Sequence, residues 1–240
     1  MTLFLILLFL VAFLYSSVGH GGASGYLALM GLYFIAPEVM KPSALMLNII
    51  VSLIAFLQYI QNTSANKKLV LLLIIGSVPA SFVGARIMLD ILIYQKALGV
   101  LLLFPVIHLF GFLGKDAPEF KTPNPYLAIS IGVLIGFISG VIGIGGGVLL
   151  SPIILLLGWA SIKQTALISS LFIFLNSISG MVGLLSKGIS ITPTIYTWIA
   201  IAIIGGIAGS YFGAKKFNSN IFKRVLAVVL AIASIKLIIG

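Results

Sequence analysis

The sequence has no cysteine, four acidic residues and two histidines among its 240 residues. Without cysteine, disulfide bonds and thiolate metal sites are excluded. The acidic residues Glu38, Asp90, Asp116 and Glu119 all fall near segment ends or in loops. A carboxylate proton relay within a hydrocarbon layer is therefore not expected, and the sequence indicates no metal and no other cofactor.

Apolar residues are abundant instead. Hydrophobic residues make up 61% of the chain, charged residues 8%, and the mean hydropathy is +1.28, which a water-exposed surface does not tolerate. Lys and Arg account for the net charge of +10, but they are scattered between apolar stretches, as topology signals and lipid contacts are. We predict an all-α polytopic membrane protein that has the lipid bilayer as partner and binds no nucleic acid.

Apolar stretches of about 17 to 25 residues, long enough to cross a bilayer as helices, recur along the chain. The N-terminal stretch lacks a basic n-region and a cleavage site, so we expect it to be retained as the first helix. The second and seventh segments are short, which predicts that each is one arm of a bent or re-entrant pair with the segment before it. The ten predicted segments are Thr2–Val18, Ser24–Ala36, Ser43–Gln61, Lys68–Met88, Gln95–Phe112, Tyr126–Val141, Val148–Gly158, Lys163–Leu185, Ile195–Phe212 and Phe222–Ile239.

Two glycine runs interrupt the apolar pattern, each directly before a short segment. Irregular backbone at membrane depth must be buried in protein or line a water-filled cavity, because lipid cannot satisfy its N–H and C=O groups. The two breaks are therefore predicted to face inward. They are Gly19-His20-Gly21-Gly22 and Gly143-Ile144-Gly145-Gly146-Gly147.

The two halves of the sequence match each other in order. Gly19 aligns with Gly143, Lys41 with Lys163, and the stretch ending Gly84-Ala85-Arg86 with the one ending Gly213-Ala214-Lys215. We predict a first repeat over residues 1–114, a linker over 115–125 and a second repeat over 126–240. Each half has an odd number of crossings, whether or not its first pair is re-entrant, so the repeats are expected to be inverted.

Loop charges predict the orientation. Alternate loops divide the basic residues unequally, and the larger group is expected on the cytoplasmic side, with both termini outside. That larger group is Lys67, Lys68, Lys115, Lys121, Lys163, Lys215, Lys216, Lys223 and Arg224.

Inverted repeats place a substrate near the midplane, where broken helices direct N–H groups and positive dipole ends at anions. Glycine allows close approach of the backbone to a ligand. Polar faces on the third and eighth segments should look inward as well, although each feature alone also suits helix packing. The candidate substrate-binding residues are Gly19, His20, Gly21, Gly22, Asn48, Ser52, Gly143, Gly145, Gly146, Gly147, Ser169 and Asn176, and no residue is assigned a catalytic role.

One alternative from another class stays open. Gly22-Ala23-Ser24-Gly25 matches the Gly-x-Ser-Gly nucleophile motif of rhomboid-type intramembrane serine proteases, with His108 as the base. Duplication argues against this reading, because the residue equivalent to Ser24 is Val148. A non-transporting membrane assembly protein is a further alternative.

The motif Gly143-Ile-Gly-Gly-Gly-Val-Leu-Leu-Ser-Pro152, followed by Ala166 and Gly209-Ser-x-x-Gly-Ala214, resembles the sulfite exporter TauE/SafE family of membrane permeases. The first half departs from the pattern at Gly19-His-Gly-Gly-Ala23. The resemblance implies a multi-pass protein of the bacterial inner membrane that moves a small anionic substrate, such as sulfite or a sulfonate, without a cofactor. It leaves the substrate, direction, coupling ion and a homodimer open.

Overall fold

The structure is a computed structural model, and it describes residues 2–109, 121–189, 193–215 and 220–239. Within these ranges the chain is all-helical, which confirms the predicted class and the ten segments. The linker predicted at 115–125 falls mostly outside the described residues, so the division into repeats stays a prediction there. The helices are α1 (Thr2–Ser16), α2 (Ala23–Leu32), α3 (Pro37–Ile60), α4 (Lys67–Ala85), α5 (Ile91–Leu109), α6 (Pro125–Ile142), α7 (Gly147–Leu156), α8 (Ile162–Leu185), α9 (Ile195–Lys215) and α10 (Asn220–Ile239).

Five of the helices in the described residues, α3, α4, α6, α8 and most of α9, are long and apolar enough to cross a membrane by length and composition. Two helices begin at least four residues earlier than predicted. α3 starts at Pro37 rather than Ser43 and continues through Pro42; a proline inside a helix is usually read as its boundary. α5 starts at Ile91 rather than Gln95, where the Asp90 carboxylate accepts a hydrogen bond from the Leu92 N–H at 2.9 Å.

Glycines let two pairs of helices approach backbone to backbone. Gly132, Gly136 and Gly140 of α6 lie directly against backbone carbonyls of α4, at Leu73, Ser77 and Ser81. Residue numbers rise together along both helices, so α4 and α6 run parallel. The same spacing recurs between α9 and α1, where Gly205, Gly209 and Gly213 lie against the carbonyls of Phe9, Phe13 and Ser17. Small residues at intervals of four allow this contact in a membrane.

α1 and α2 form an antiparallel hairpin. The Tyr15 hydroxyl lies 2.7 Å from that of Ser24, and the Phe4 and Tyr33 ring centroids are 5.2 Å apart near the open end. The short α2 therefore returns to the side on which α1 begins, as expected for a re-entrant pair.

α6 and α7 form a second hairpin. α8 runs parallel to α4, because Ser77 contacts Asn176 and Val78 contacts Ser179, and it is therefore also parallel to α6. α7 runs the opposite way along α8: Gly147 lies against Ile173, while Ser151 further along α7 reaches back to Ser169. The chain thus reverses direction between α6 and α7.

Packing partners repeat at an interval of five helices. In one set of contacts, α1 and α3 both pack on α9; in the equivalent set, α6 and α8 both pack on α4. The equivalent helices α3 and α8 pack on each other, and so do α5 and α10. α3 and α8 are antiparallel, because Asn48 meets Ser177 and Leu45 meets Gly180. This arrangement is consistent with inverted halves that meet along α3 and α8.

These directions define two faces of the molecule. The A face holds the start of α1, the start of α3, the end of α4 and the end of α10; the Lys236 ammonium donates to the Leu32 carbonyl there at 2.9 Å. The B face holds the loops before α4 and α8, joined by the Gln164 amide, which donates to the Ser64 carbonyl at 3.2 Å. The α1–α2 hairpin enters from the A face and the α6–α7 hairpin from the B face.

Candidate functional site

The turns of the two hairpins meet in the interior, between α3 and α8. We call residues 19–22 the first tip and residues 143–146 the second tip; every residue in both is buried. Gly21 and Gly145 contact the same two side chains, Asn48 of α3 and Ile173 of α8. The predicted breaks therefore lie together, with Asn48 and Ile173 between them.

Each tip ends in a glycine that begins a short helix. Gly22 (φ 97°) caps α2 and Gly146 (φ 78°) caps α7, both in the left-handed region and without a side-chain cap. In the described residues the N–H groups of Gly147 and Val148 have no hydrogen-bond acceptor. Such orphan N–H groups carry the positive end of the helix dipole, so two positive helix ends converge on the centre.

Asn48 connects the two tips through one amide group. Its oxygen accepts from the Ala23 N–H at 2.9 Å, in the first turn of α2. Its nitrogen donates to the Ile144 carbonyl at 3.3 Å, in the second tip, and lies 3.4 Å from the Ser177 hydroxyl. Ser52, one turn further along α3, donates to the Asn48 carbonyl at 2.5 Å. Ser52 is fully buried, but its hydroxyl forms this hydrogen bond within α3 and not with a residue of either tip.

His20 links the first tip to the second hairpin. Its Nε2 lies 2.9 Å from the Ser151 hydroxyl of α7, and its Nδ1 lies 3.1 Å from the Val18 carbonyl. The Ser151 hydroxyl is in turn 2.8 Å from that of Ser169 on α8. A chain of polar groups thus runs from His20 through Ser151 to Ser169, and it includes two of the predicted candidates.

Asn176 lies away from the tips. Its side-chain nitrogen donates to the Ser77 hydroxyl at 3.0 Å and to the Phe172 carbonyl at 2.8 Å, and its backbone carbonyl accepts from the Ser81 hydroxyl at 2.9 Å. The contacts with Ser77 and Ser81 join α8 to α4. Ser169 and Asn176 were expected on an inward face of the eighth segment, and both are fully buried; Ser169 meets α7 and Asn176 meets α4.

Three groups near the tips were not predicted from the sequence. Ser151 lies within the glycine motif, and its position one turn after the second tip was the available signal. Tyr26 and Ser139 have buried hydroxyls with no hydrogen-bond partner in the described residues. The Tyr26 hydroxyl is 2.8 Å from where a Cβ on Gly22 would lie, and the Ser139 Cβ is 3.3 Å from the equivalent point on Gly146. One unpaired hydroxyl thus accompanies each capping glycine.

The alternative serine dyad finds little support in these contacts. Ser24 is buried, and its hydroxyl pairs with that of Tyr15 at 2.7 Å. The side chain of His108 lies outside the described residues. The imidazole near the first tip is that of His20, and its hydroxyl partner is Ser151 rather than Ser24.

A bundle of apolar helices that encloses two buried, oppositely directed hairpin tips defines a polytopic membrane protein of the transporter class. The chain belongs to the sulfite exporter TauE/SafE family, whose model matches residues 4–237. This confirms the resemblance drawn from the glycine motif.

Several relatives are described as probable membrane transporter proteins. The chain is 32% identical to y4hK of Sinorhizobium fredii, over 96% of this chain and 95% of that one. It is 25% identical to YunE of Bacillus subtilis, over 85% and 82% of the two chains, and 26% identical to YdhB of the same organism, over 98% and 99%. No solved structure gives a significant match.

Proposed function

We propose that this protein is a permease for small sulfur-containing oxyanions, such as sulfite or sulfonates, that bind where the two tips meet. The observation that carries the proposal is the pairing, at both tips, of a helix N-terminus with an unpaired buried hydroxyl. Tyr26 accompanies α2 and Ser139 accompanies α7. Buried polar groups normally have partners, and both hydroxyls and backbone N–H groups donate to oxyanions.

The charge of the site favours an anion. Among the described residues, no Asp or Glu is buried, and the two helix N-termini contribute partial positive charge. Such a site resembles the general plan in which discontinuous helices of inverted repeats hold anionic substrates at the bilayer midplane. A cation would find no buried carboxylate there.

The positions of the tips support alternating access. The first tip enters from the A face and reaches towards the B face, where the Cβ of Ala166, near the start of α8, lies 2.6 Å from the point at which a Cβ on Gly19 would stand. The second tip enters from the B face and reaches towards the A face, where Lys41 Cγ lies 2.8 Å from the corresponding point on Gly143. Withdrawal of one tip would open one face while the other tip keeps its face closed.

Export is the favoured direction. An anion that leaves an interior about 100 mV negative gains roughly 2.3 kcal/mol per charge, so no coupling ion is obligatory. We further propose the bacterial inner membrane as the location.

The test is flux of radiolabelled sulfite and ethanesulfonate through purified protein in liposomes, with Gly146→Ala beside Gly188→Ala. Both glycines have positive φ, 78° and 77°, so both substitutions introduce backbone strain. A Cβ on Gly146 would lie 2.9 Å from Ile135 and from Phe172, whereas nothing lies within 4 Å at Gly188. We expect wild-type flux above that of empty liposomes, a loss of at least about ten-fold in Gly146→Ala, and near wild-type flux in Gly188→Ala.

Wild-type protein that moves neither anion would overturn the proposal and favour the assembly role. Equal flux in Gly146→Ala and wild type would show that the second tip serves packing alone.

A further inference from the structure

Lys41 is a buried cation without a counter-charge. It is 6% exposed and, among the described residues, it is the single Lys, Arg, Asp or Glu side chain that is buried. Its ammonium donates one hydrogen bond, to the Ala85 carbonyl at 3.2 Å. A buried ammonium is strongly unfavourable unless it is paired and its donors are used, and two of the three Lys41 donors have no described partner.

The surroundings of Lys41 leave room for an ion. The side chain lines a cavity of about 40 Å³ between the start of α3, the α4–α5 loop, the start of α5 and the end of α6. Glu38, the other charged residue on the cavity, is exposed and makes no ion pair with Lys41. The Tyr94 hydroxyl in the cavity wall is already bonded to the Ile142 carbonyl at 2.9 Å. The Lys41 side chain thus lines a small space next to the second tip.

We infer that Lys41 forms a second anion subsite, between the central site and the A face. The subsite takes the same small oxyanion as the centre and holds it by charge-assisted hydrogen bonds from the ammonium. This inference rests on the proposed function, because it adds a second binding site for the transported anion on the same pathway. The Lys41 chain lies against Gly143, so an anion there sits beside the tip that closes the A face.

The other half of the chain provides a matched control. Lys163 aligns with Lys41 in the sequence repeat, but Lys163 is exposed on the B face. A substitution at Lys163 removes the same charge at the equivalent repeat position without touching a buried cation.

The experiment is unidirectional ethanesulfonate flux in oriented proteoliposomes, with substrate presented on each face in turn. Lys41→Met keeps most of the length of the side chain and removes its charge, and Lys41→Arg keeps the charge. We expect Lys41→Met to raise the KM for substrate presented on the A face by about ten-fold or more, with a smaller rise from the B face. Lys41→Arg should recover most of this loss, and Lys163→Met should resemble wild type.

Equal KM values for Lys41→Met and wild type on the A face would overturn the subsite while leaving the proposed function intact. Equal losses from both faces, not recovered by Lys41→Arg, would assign Lys41 a structural role. Absence of wild-type flux would overturn both proposals. Membrane insertion and monodisperse elution check folding, and Lys41→Gln replaces Lys41→Met if the latter does not accumulate.

Discussion

At the scale of residues, the site depends on side chains that offer a donor and an acceptor together. Asn48 uses its oxygen for the first turn of α2 and its nitrogen for the second tip. An amide can do both at once, whereas a carboxylate lacks the donor and an aliphatic chain lacks both. His20 and Ser151 form a second link between the hairpins, 2.9 Å apart. Both links would have to change if the tips move relative to each other.

We expect His20→Ala to weaken sulfonate binding and to flatten its dependence on pH. Imidazole ordinarily gains a proton between pH 5 and 8, so a charged His20 beside the first tip should strengthen anion binding as the pH falls. The other titratable side chains beside this tip on α1 and α2 are Tyr15 and Tyr26, and the neighbours on α7 and α8 are the hydroxyls of Ser151 and Ser169. Phenols and hydroxyls do not ordinarily titrate in this range.

The measurement is ethanesulfonate binding to purified protein between about pH 5.5 and 8. Ser151→Ala is the matched control, because it removes the hydroxyl next to Nε2 but keeps the imidazole, and it should lower affinity while keeping the pH dependence. His108→Ala should leave the profile unchanged. Wild-type affinity and slope in His20→Ala would show that His20 packs and does not face the anion.

At the scale of elements, glycine decides which helices can touch. The α1–α9 and α4–α6 pairs are in contact through backbone because glycines recur every fourth residue on one face. The partial positive charge at the centre also comes from whole helices, because the N-termini of α2 and α7 lie at buried glycines and not at the surface. Short helices that start inside the protein bring their dipole ends to the substrate.

Two glycines on α9 give a matched test of this packing. A Cβ on Gly209 would collide with the backbone carbonyl of Phe13, whereas a Cβ on Gly206 would meet Val51 side-chain atoms at an ordinary 3.4 Å. We expect Gly209→Ala to lower the free energy of unfolding by about 1–3 kcal/mol, and Gly206→Ala to leave it unchanged or raise it by up to about 1 kcal/mol. Thermal unfolding in detergent measures both variants, and equal midpoints would contradict the backbone contact between α1 and α9.

At the scale of the whole molecule, the helix directions assign each loop to a face. The predicted division of basic residues between the two sides also holds with re-entrant hairpins. Each hairpin, α1–α2 or α6–α7, returns the chain to the face from which it started, as two full crossings would. Lys67 and Lys163 belong to the B face, while Arg86 and Lys187 belong to the A face. Four residues of the larger basic group, Lys67, Lys68, Lys121 and Lys163, lie on the B face in the described part of the chain, which predicts that this face is cytoplasmic.

Cysteine labelling tests this topology directly, because the chain has no native cysteine. Single cysteines at positions 67 and 187 should react with an impermeant thiol reagent from opposite sides of the cell membrane, with 187 labelled from outside. A cysteine at position 163 should behave as the one at 67. Labelling of positions 67 and 187 from the same side would contradict the placement of these two loops on opposite faces.

Much of the fold was predictable because it depends on local sequence. The ten helices follow from the length and hydropathy of each stretch, and the two breaks follow from glycines at Gly19–Gly22 and Gly143–Gly147. The membership of the TauE/SafE family was readable from one motif. The start of α3 was predicted too late, because Pro42 lies inside the helix and local sequence disfavours a helix there. Packing against neighbouring helices can stabilise such a turn.

The contacts of the site were decided by the tertiary structure. The sequence indicated that Asn48, Ser169 and Asn176 lie on inward faces, but not that Asn48 spans both tips while Asn176 turns towards α4. Nor could it indicate that Lys41 is buried and Lys163 exposed, since the two align in the repeat. The physical reason is that hydropathy reports whether a helix enters the membrane, whereas the partner of a polar side chain depends on the direction and rotation of helices far apart in sequence.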